Sequence, residues 1–567
     1  MLYRNAAFAL VLLVLGSGGC PLRSLAQAQR ITPPIPQPPL PDEPFPSLPP
    51  SEELLPDTQP SEFPETLPDE GTDKILVKQI EVVGSTVFSP EELAEVTAPF
   101  VGKQLSFGEL LQVRAAINEL YVSKGYIASG AIIPPQVTDD GIIRIQVLEG
   151  SLENIQITGN RRLNSNYIRS RLSRAGSKPL NVNQLLEGLQ LLKLDPLIEN
   201  ISAELQPGDH PETRILAVEV NEAKSFYVSP SFDNGRVPSV GSFRRQIQLN
   251  QASLLGFGDG LNVGYTNTDG SNALDLSYVF PINSRNGTLR FATGLSRNRV
   301  IEEPFDVLEI ESKSRYYEFT YRQPIVLRPR EEFALGLTFS RQESRTELGL
   351  DDIGPFPLSV GADEDGSTRV SALRFFQEWT RRSQRSVFAF RSQLSFGIGG
   401  LFNASQNEEV PDSNFLVWRG QGQWVQLLAP DTLLLVRGDI QLANRALLPL
   451  EQIGIGGPTT VRGYRQEALL ADSGALFSTE VRLPILRVPK MNGLLQLAPF
   501  VDVGTAWNVS GVNPDPKTLA SVGLGLVWQM GNYLTARFDW GIPLVNVDST
   551  RDTLQERGLY FSVVGRF

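Results

Sequence analysis

From about Ser225 to the terminal Phe567 the chain alternates apolar and polar residues, and this alternation limits the possible folds more than any other feature. A strand turns successive side chains to opposite faces, so a period of two gives each strand one apolar and one polar face. Phe333, Leu335, Leu337 and Phe339 share one face, and Ala334, Gly336, Thr338 and Ser340 the other. Leu434, Val436, Ile440 and Leu442 alternate with Arg437, Asp439 and Gln441 in the same way, and Val522, Leu524, Leu526 and Trp528 with Ser521, Gly523 and Gly525. A soluble sandwich or barrel would also alternate. The length of the region, and charged residues that share a parity with glycine, favour a transmembrane β-barrel with an apolar wall and a polar lumen. Each run is long enough to cross a bilayer as a tilted strand. At about 20 residues per strand and turn the region holds roughly 16 antiparallel strands, an even number. The last strand puts Leu559, Phe561, Val563 and Phe567 on one face and ends on an aromatic residue.

Several domains are expected in 567 residues. No apolar run of helical-span length follows the N-terminus, which excludes helical spans but not a barrel. A net charge of -12 argues against a nucleic-acid binder, which needs a basic face. The start reads as a secretory signal over residues 1–28: Arg4, a short apolar core from Ala6 to Leu15, and the small-x-small site Ala26-Gln27-Ala28. Ten apolar residues are too few to span a bilayer. Cleavage there removes Cys20, the only cysteine, and with it any disulfide or thiolate metal site. The alternative is a lipidated Cys20, against which Ser17 stands where such signals carry leucine. Residues 29–73 form a linker: residues 31–70 hold 14 of the 41 prolines among acidic and polar residues, so the segment has no ladder to make and little to bury.

Two α+β units follow, at 74–150 and 151–222. In the first, the alternation of Ile75 to Val83 reads as a strand, and Ser89-Pro90-Glu91-Glu92 as a helix start. Phe107 to Tyr121 is a helix with Leu110, Val113, Ile117 and Leu120 on one face, and Tyr126–Pro135 and Ile142–Leu148 are strands. The order recurs in the second unit: strand Leu152–Ile157, helices Asn164–Ser173 and Val182–Leu194, then strands Ile201–Leu205 and Thr213–Val220. Leu185, Leu189 and Leu192 lie at helical spacing on the last helix, beside an apolar groove, and with the sheet edge are the candidate residues for binding a client chain.

Enzymatic readings find little. His210 is the only histidine and sits in a Pro/Gly/Asp turn, and there is no nucleophile elbow or phosphate loop. Ligand supply is too poor for a zinc or redox site, so no metal and no cofactor is expected. Asp351-Asp352 and Asp363-Glu364-Asp365-Gly366 lack the spacing of a Ca²⁺ loop and read as solvated loop. Val461-Arg462-Gly463-Tyr464 is different, because Gly454, Gly456, Gly457 and Gly463 around it permit tight bends. Further on, Gln496, Ala498, Phe500, Asp502 and Gly504 share one parity while Leu495, Leu497, Val501 and Val503 share the other. Asp502 therefore points into the lumen, where a charge is acceptable if paired, and Arg462 folded inside is a bidentate partner for it. Glu480 shares a strand face with Arg482 and is a weaker lumen candidate.

These segments together resemble the outer-membrane transporters of two-partner secretion, the haemolysin secretion/activation family, within the superfamily of barrels carrying polypeptide-transport-associated (POTRA) domains. Gly125-Tyr126-Ile127, Ile133-Pro134-Pro135-Gln136 and Asp140 to Gly150 are similar to that family's first POTRA domain. The resemblance covers nearly everything from about Lys74 to Phe567. It implies two periplasmic POTRA domains before a barrel spanning 223–567 in outer-membrane lipid. It further implies export of a large adhesin- or haemolysin-like exoprotein, recognised unfolded by the POTRA domains and passed through the pore. The Val-Arg-Gly-Tyr loop would enter the barrel and its arginine meet the aspartate of Phe-x-Asp-x-Gly, complete here as Phe500 to Gly504. A terminal aromatic such as Phe567 resembles the signal read by the barrel-assembly machinery. Members often begin with a helix that plugs the pore, and nothing between Gln29 and Pro68 reads as a good helix. Two other readings share the fold: an insertase for other barrels or lipids, and a passive porin. A narrower reading gives the Arg462–Asp502 pair a purely stabilising part.

Overall fold

The computed structural model describes residues 54–55, 74–137, 140–407, 411–547 and 552–567. The segment expected to be a secretory signal, with Cys20, and the Pro-rich segment apart from Leu54 and Leu55, lie outside the described residues. The chain divides into a unit of small domains and a barrel unit.

In the first small domain, Ser89 caps the helix Pro90–Thr97 and Ser106 caps Phe107–Ser123. Each serine oxygen accepts the third helical N–H, while Glu92 and Glu109 reach back to the cap amides. Strand Ile142–Leu148 lies between Gln79–Val83, parallel to it, and Gly130–Ile132, antiparallel. Its Ile143, Ile145 and Val147 pack on Leu110, Val113, Ile117 and Tyr121 of the second helix. The strand expected over Tyr126–Pro135 shrinks to Gly130–Ile132. Tyr126 N–H returns to the Tyr121 carbonyl and Ser129 N–H to Tyr126, a turn that closes the helix, and Pro134-Pro135 cannot donate to a ladder.

The second domain repeats the plan. Its central strand Thr213–Glu222 runs parallel to Ser151–Thr158 and antiparallel to Ile198–Pro207. Each outer strand pairs on one side only among the described residues. Asn164 and Asn181 cap the helices Ser165–Ala175 and Val182–Lys193. A Cβ on Gly188 would lie 2.6 Å from the Ala175 Cβ, so this glycine sets how closely the two helices approach. Leu185, Leu189 and Leu192 are essentially inaccessible, which corrects the expectation that they line an open groove: the helix turns them onto the sheet as core. The Glu222 carboxylate accepts the N–H groups of Arg161, Arg162 and Leu163. Burial pushes its pKa up, but these donors outweigh burial and hold it below the ordinary value. The two domains are joined by Asn181 Nδ2 donating to the Lys124 carbonyl at 3.0 Å and Val182 N to Gly125 at 2.9 Å. Leu54 and Leu55, each 1% exposed, belong to an apolar cluster made mainly by the second domain together with Ala128 and Ile127 of the first, so this part of the Pro-rich segment does bury side chains.

Among the described residues, sixteen long antiparallel strands close into the barrel, with a two-residue strand, Gly354–Pro355, added to one of them. Side chains follow the alternation. Leu337, Leu524 and Leu526 are more than 40% exposed on the outer wall, while Ala334, Thr338 and Ser340 are buried on the inner side. A closed barrel suits a bilayer because every strand backbone finds its partner within the wall. The ring closes where the last strand, Leu559–Gly565, meets the first, Phe226–Asp233, through Ser562↔Asp233, Val563↔Phe232 and Val564↔Ser231. Phe567, itself well exposed, extends this seam by exchanging two 3.0 Å backbone hydrogen bonds with Val228.

Candidate functional site: the pore loop and its lumen anchors

The loop carrying Arg462 lies between strands Thr432–Ala443 and Ser473–Val488, which pair with each other in the wall. It is built on a small hairpin, Ile453–Ile455 with Leu469–Ala471. Gly456, Gly457 and Gly463 have φ of +117°, +100° and +95°, a region closed to most side chains. Ile455, Val461, Tyr464 and Leu469 pack with Ala506 and Leu519 of the wall, so the loop has its own apolar footing. Gly504 admits it: a Cβ there would lie 2.7 Å from Ile455 Cγ2 and 2.9 Å from Val461 Cγ2.

The structure brings Arg462 and Asp502 together. Arg462 Nε donates to Asp502 Oδ2 at 2.7 Å and Nη2 to Oδ1 at 2.8 Å, and the Arg462 backbone N–H adds a third bond at 3.1 Å. Ser478 Oγ donates to Asp502 Oδ1 at 2.7 Å. The guanidinium carbon lies 3.4 Å from the centre of the Phe500 ring, which covers one face of the cation. Arg462 is 1% exposed and Asp502 0%, so neither charge is solvated from outside the pair and its polar neighbours.

Glu480 is as central as Asp502. It accepts Arg462 Nη1 at 2.6 Å, Arg537 Nη2 at 2.6 Å and Arg482 Nε at 2.9 Å. Arg537 also grips Asp539, at 2.5 and 2.7 Å. Among these six side chains three cations and three carboxylates interleave, so the loop arginine joins a network spread over several wall strands. Multiple partners are what make buried charge tolerable.

A second set of bonds holds the loop backbone. Tyr560, on the last strand, donates to the Tyr464 carbonyl at 2.5 Å and accepts Gly463 N–H at 3.0 Å. Tyr464 OH donates to the Ala520 carbonyl at 2.7 Å. Arg465 makes a bidentate pair with Glu302, both bonds 2.6 Å. Sequence reasoning missed Tyr560, Arg537, Asp539 and the Arg465–Glu302 pair. Parity puts the first three on the lumen side, but it does not tell which lumen residues meet across the bore. Elsewhere, His210 is exposed in its turn, and Asp363 and Asp365 are paired with Arg369.

A sixteen-stranded barrel behind two POTRA domains, with an arginine loop tied into its lumen, defines an outer-membrane transporter of the two-partner secretion type. The chain belongs to the haemolysin secretion/activation protein ShlB/FhaC/HecB family, which it matches over residues 212–528, and residues 75–150 match the ShlB-type POTRA domain. It is 22% identical over 503 residues to the heme/hemopexin transporter protein HuxB of Haemophilus influenzae (strain 86-028NP), covering 84% of each chain. It is 20% identical over 460 residues to the outer membrane transporter CdiB of Dickeya dadantii (strain 3937), covering 80% of this chain and 79% of CdiB. Among solved structures, CdiB from Escherichia coli superposes with a TM-score of 0.68 at 19% identity, over 89% of this chain and 93% of that one. The barrel lies in the outer membrane and the POTRA domains in the periplasm.

Proposed function

We propose that the protein captures an unfolded exoprotein on its POTRA domains and exports it through the barrel, with the Arg462 loop as the movable element of the pore. The observation that carries this reading is how the loop is held. Its arginine is fixed by side chains of the lumen wall, through ion pairs that water or a passing chain can replace. A structure needed only for wall stability could place those charges between neighbouring strands and leave the loop outside. Capture is supported by the outer strands of the POTRA sheets, Ser151–Thr158 and Ile198–Pro207 in the second domain, each with one side unpaired among the described residues. Adding a strand there recognises an extended backbone with few demands on side chains, which suits a client that must stay unfolded. Folding outside the cell supplies the outward bias. Self-insertion through the barrel-assembly machinery, with the exposed Phe567 as its signal, belongs to the same reading.

The test is quantitative proteomics of the medium and outer membrane from cells with and without the gene. Loss of one or a few large proteins from the medium, with the outer membrane otherwise intact, supports a dedicated exporter and identifies its client. Broad depletion of barrel proteins would replace this reading with an insertase. No change in either fraction, with steady conductance that no secreted protein blocks, would leave a porin.

A further inference from the structure

Leu54 and Leu55 come from the Pro-rich stretch that precedes both POTRA domains, yet they are buried in an apolar cluster built mainly by the second one, to which the first adds Ala128 and Ile127. The first POTRA domain has its own cluster, around Val113, Ile117, Ile143 and Ile145, and the two leucines are not part of it. The pair therefore lies outside the first domain's own core, in a cluster whose members come mainly from the domain beyond.

The second domain's helices and sheet supply most of this cluster themselves. Its helices already place Ile168, Leu172, Leu185, Leu189 and Leu192 against Ile201, Leu216, Val218 and Val220 of the sheet. The sequence around the pair is Glu52-Glu53-Leu54-Leu55-Pro56-Asp57, two large aliphatic side chains flanked by acids and a proline. Nothing in such a stretch makes a core of its own, so the burial of both leucines is provided by the receiving surface.

We infer that the second POTRA domain carries a docking site for short peptides bearing two adjacent large aliphatic residues, and that Leu54-Leu55 is a tethered ligand occupying it. A tethered ligand acts at high effective concentration, so it keeps the site shut against weak competitors and yields to an extended chain that also gains backbone pairing at the sheet edge. The site stands on the burial of the two leucines alone. Its use by the exported chain rests on the export reading above.

The test uses the purified full-length protein in detergent, and so is independent of any secretion phenotype. The probe is a fluorescein-labelled synthetic peptide with the sequence of residues 51–58, read by anisotropy against wild type and against Leu54→Asp/Leu55→Asp. The expected result is saturable binding to the variant, at least tenfold tighter than to wild type, and no binding of a peptide with both leucines changed to Asp. Equal binding to both proteins, or none to a variant whose helices melt as in wild type, would overturn the inference. Loss of the POTRA fold in the variant would overturn it too, because the leucines would then be constitutive core.

Discussion

Arg462→Ala removes the cation from a buried network, and its effect can be worked out from the partners left behind. Glu480 keeps Arg482 and Arg537. Asp502 keeps only the Ser478 hydroxyl at 2.7 Å and the backbone N–H of residue 462 at 3.1 Å. The cost therefore falls mainly on Asp502, a carboxylate with no exposed surface. Removing one partner of a buried pair costs about 3–5 kcal/mol. That penalty applies to the docked loop and not to an undocked one, in which Asp502 faces pore water. At about 1.4 kcal/mol per decade the undocked population should rise by roughly two to three and a half decades. Val461→Cys on a Cys20→Ser background reports it, since residue 461 is fully buried when the loop is docked. Thiol labelling should accelerate by that factor when Arg462→Ala is added, and single-channel recordings should show longer open periods. Arg462→Ala/Asp502→Ala should recover part of the loss, since no orphaned carboxylate remains. Unchanged labelling with unchanged conductance would refute the claim that this pair holds the loop.

Three further outcomes are expected. Gly504→Ala pushes a methyl group against Ile455 and Val461 and should raise the same labelling rate about tenfold, overpacking costing about 1–3 kcal/mol. Tyr560→Phe leaves the Gly463 N–H without its acceptor, a loss of about 1–3 kcal/mol; it should speed labelling while leaving the heat-resistant electrophoretic mobility of the folded barrel intact. Glu222→Gln should lower hydrogen-exchange protection at Arg161, Arg162 and Leu163 at neutral pH. Because the folded pKa of Glu222 is depressed, its contribution is complete above the ordinary carboxylate value of about 4.3 and is lost as pH falls through the folded value. Wild-type protection should therefore fall toward that of Glu222→Gln only in acid.

The barrel was legible because lipid enforces a period of two over hundreds of residues, and the same parity put Asp502 inside. Its meeting with Arg462 came from the glycine-flanked loop and the family resemblance, since periodicity carries no information about a loop folding back across a lumen. Arg537 and Tyr560 were illegible for a related reason. Which inward residues face each other depends on the tilt and register of the strands, and those are set by pairings between distant parts of the chain. The first helix start of the first POTRA domain was readable from Ser89 and Glu92, where the signal is local. Leu185, Leu189 and Leu192 show the limit of helical spacing. It identifies an apolar stripe without saying whether the fold or a partner covers it, and here the sheet does. Leu54-Leu55 gave no signal, because two leucines among prolines have no period.

The seam has a consequence for how the protein comes to be. Every other long strand of the wall pairs with a neighbour in the chain, while the last pairing brings Ser562 to Asp233. Hairpins can therefore form in any order, but the ring is completed by its most non-local contact, and loop closure over such a distance is the slow kind. Until then both terminal strands present open edges to whatever strand is nearby. The nascent barrel is thus most exposed to mispairing just before it is finished, and a helper at assembly is needed most where the two ends meet.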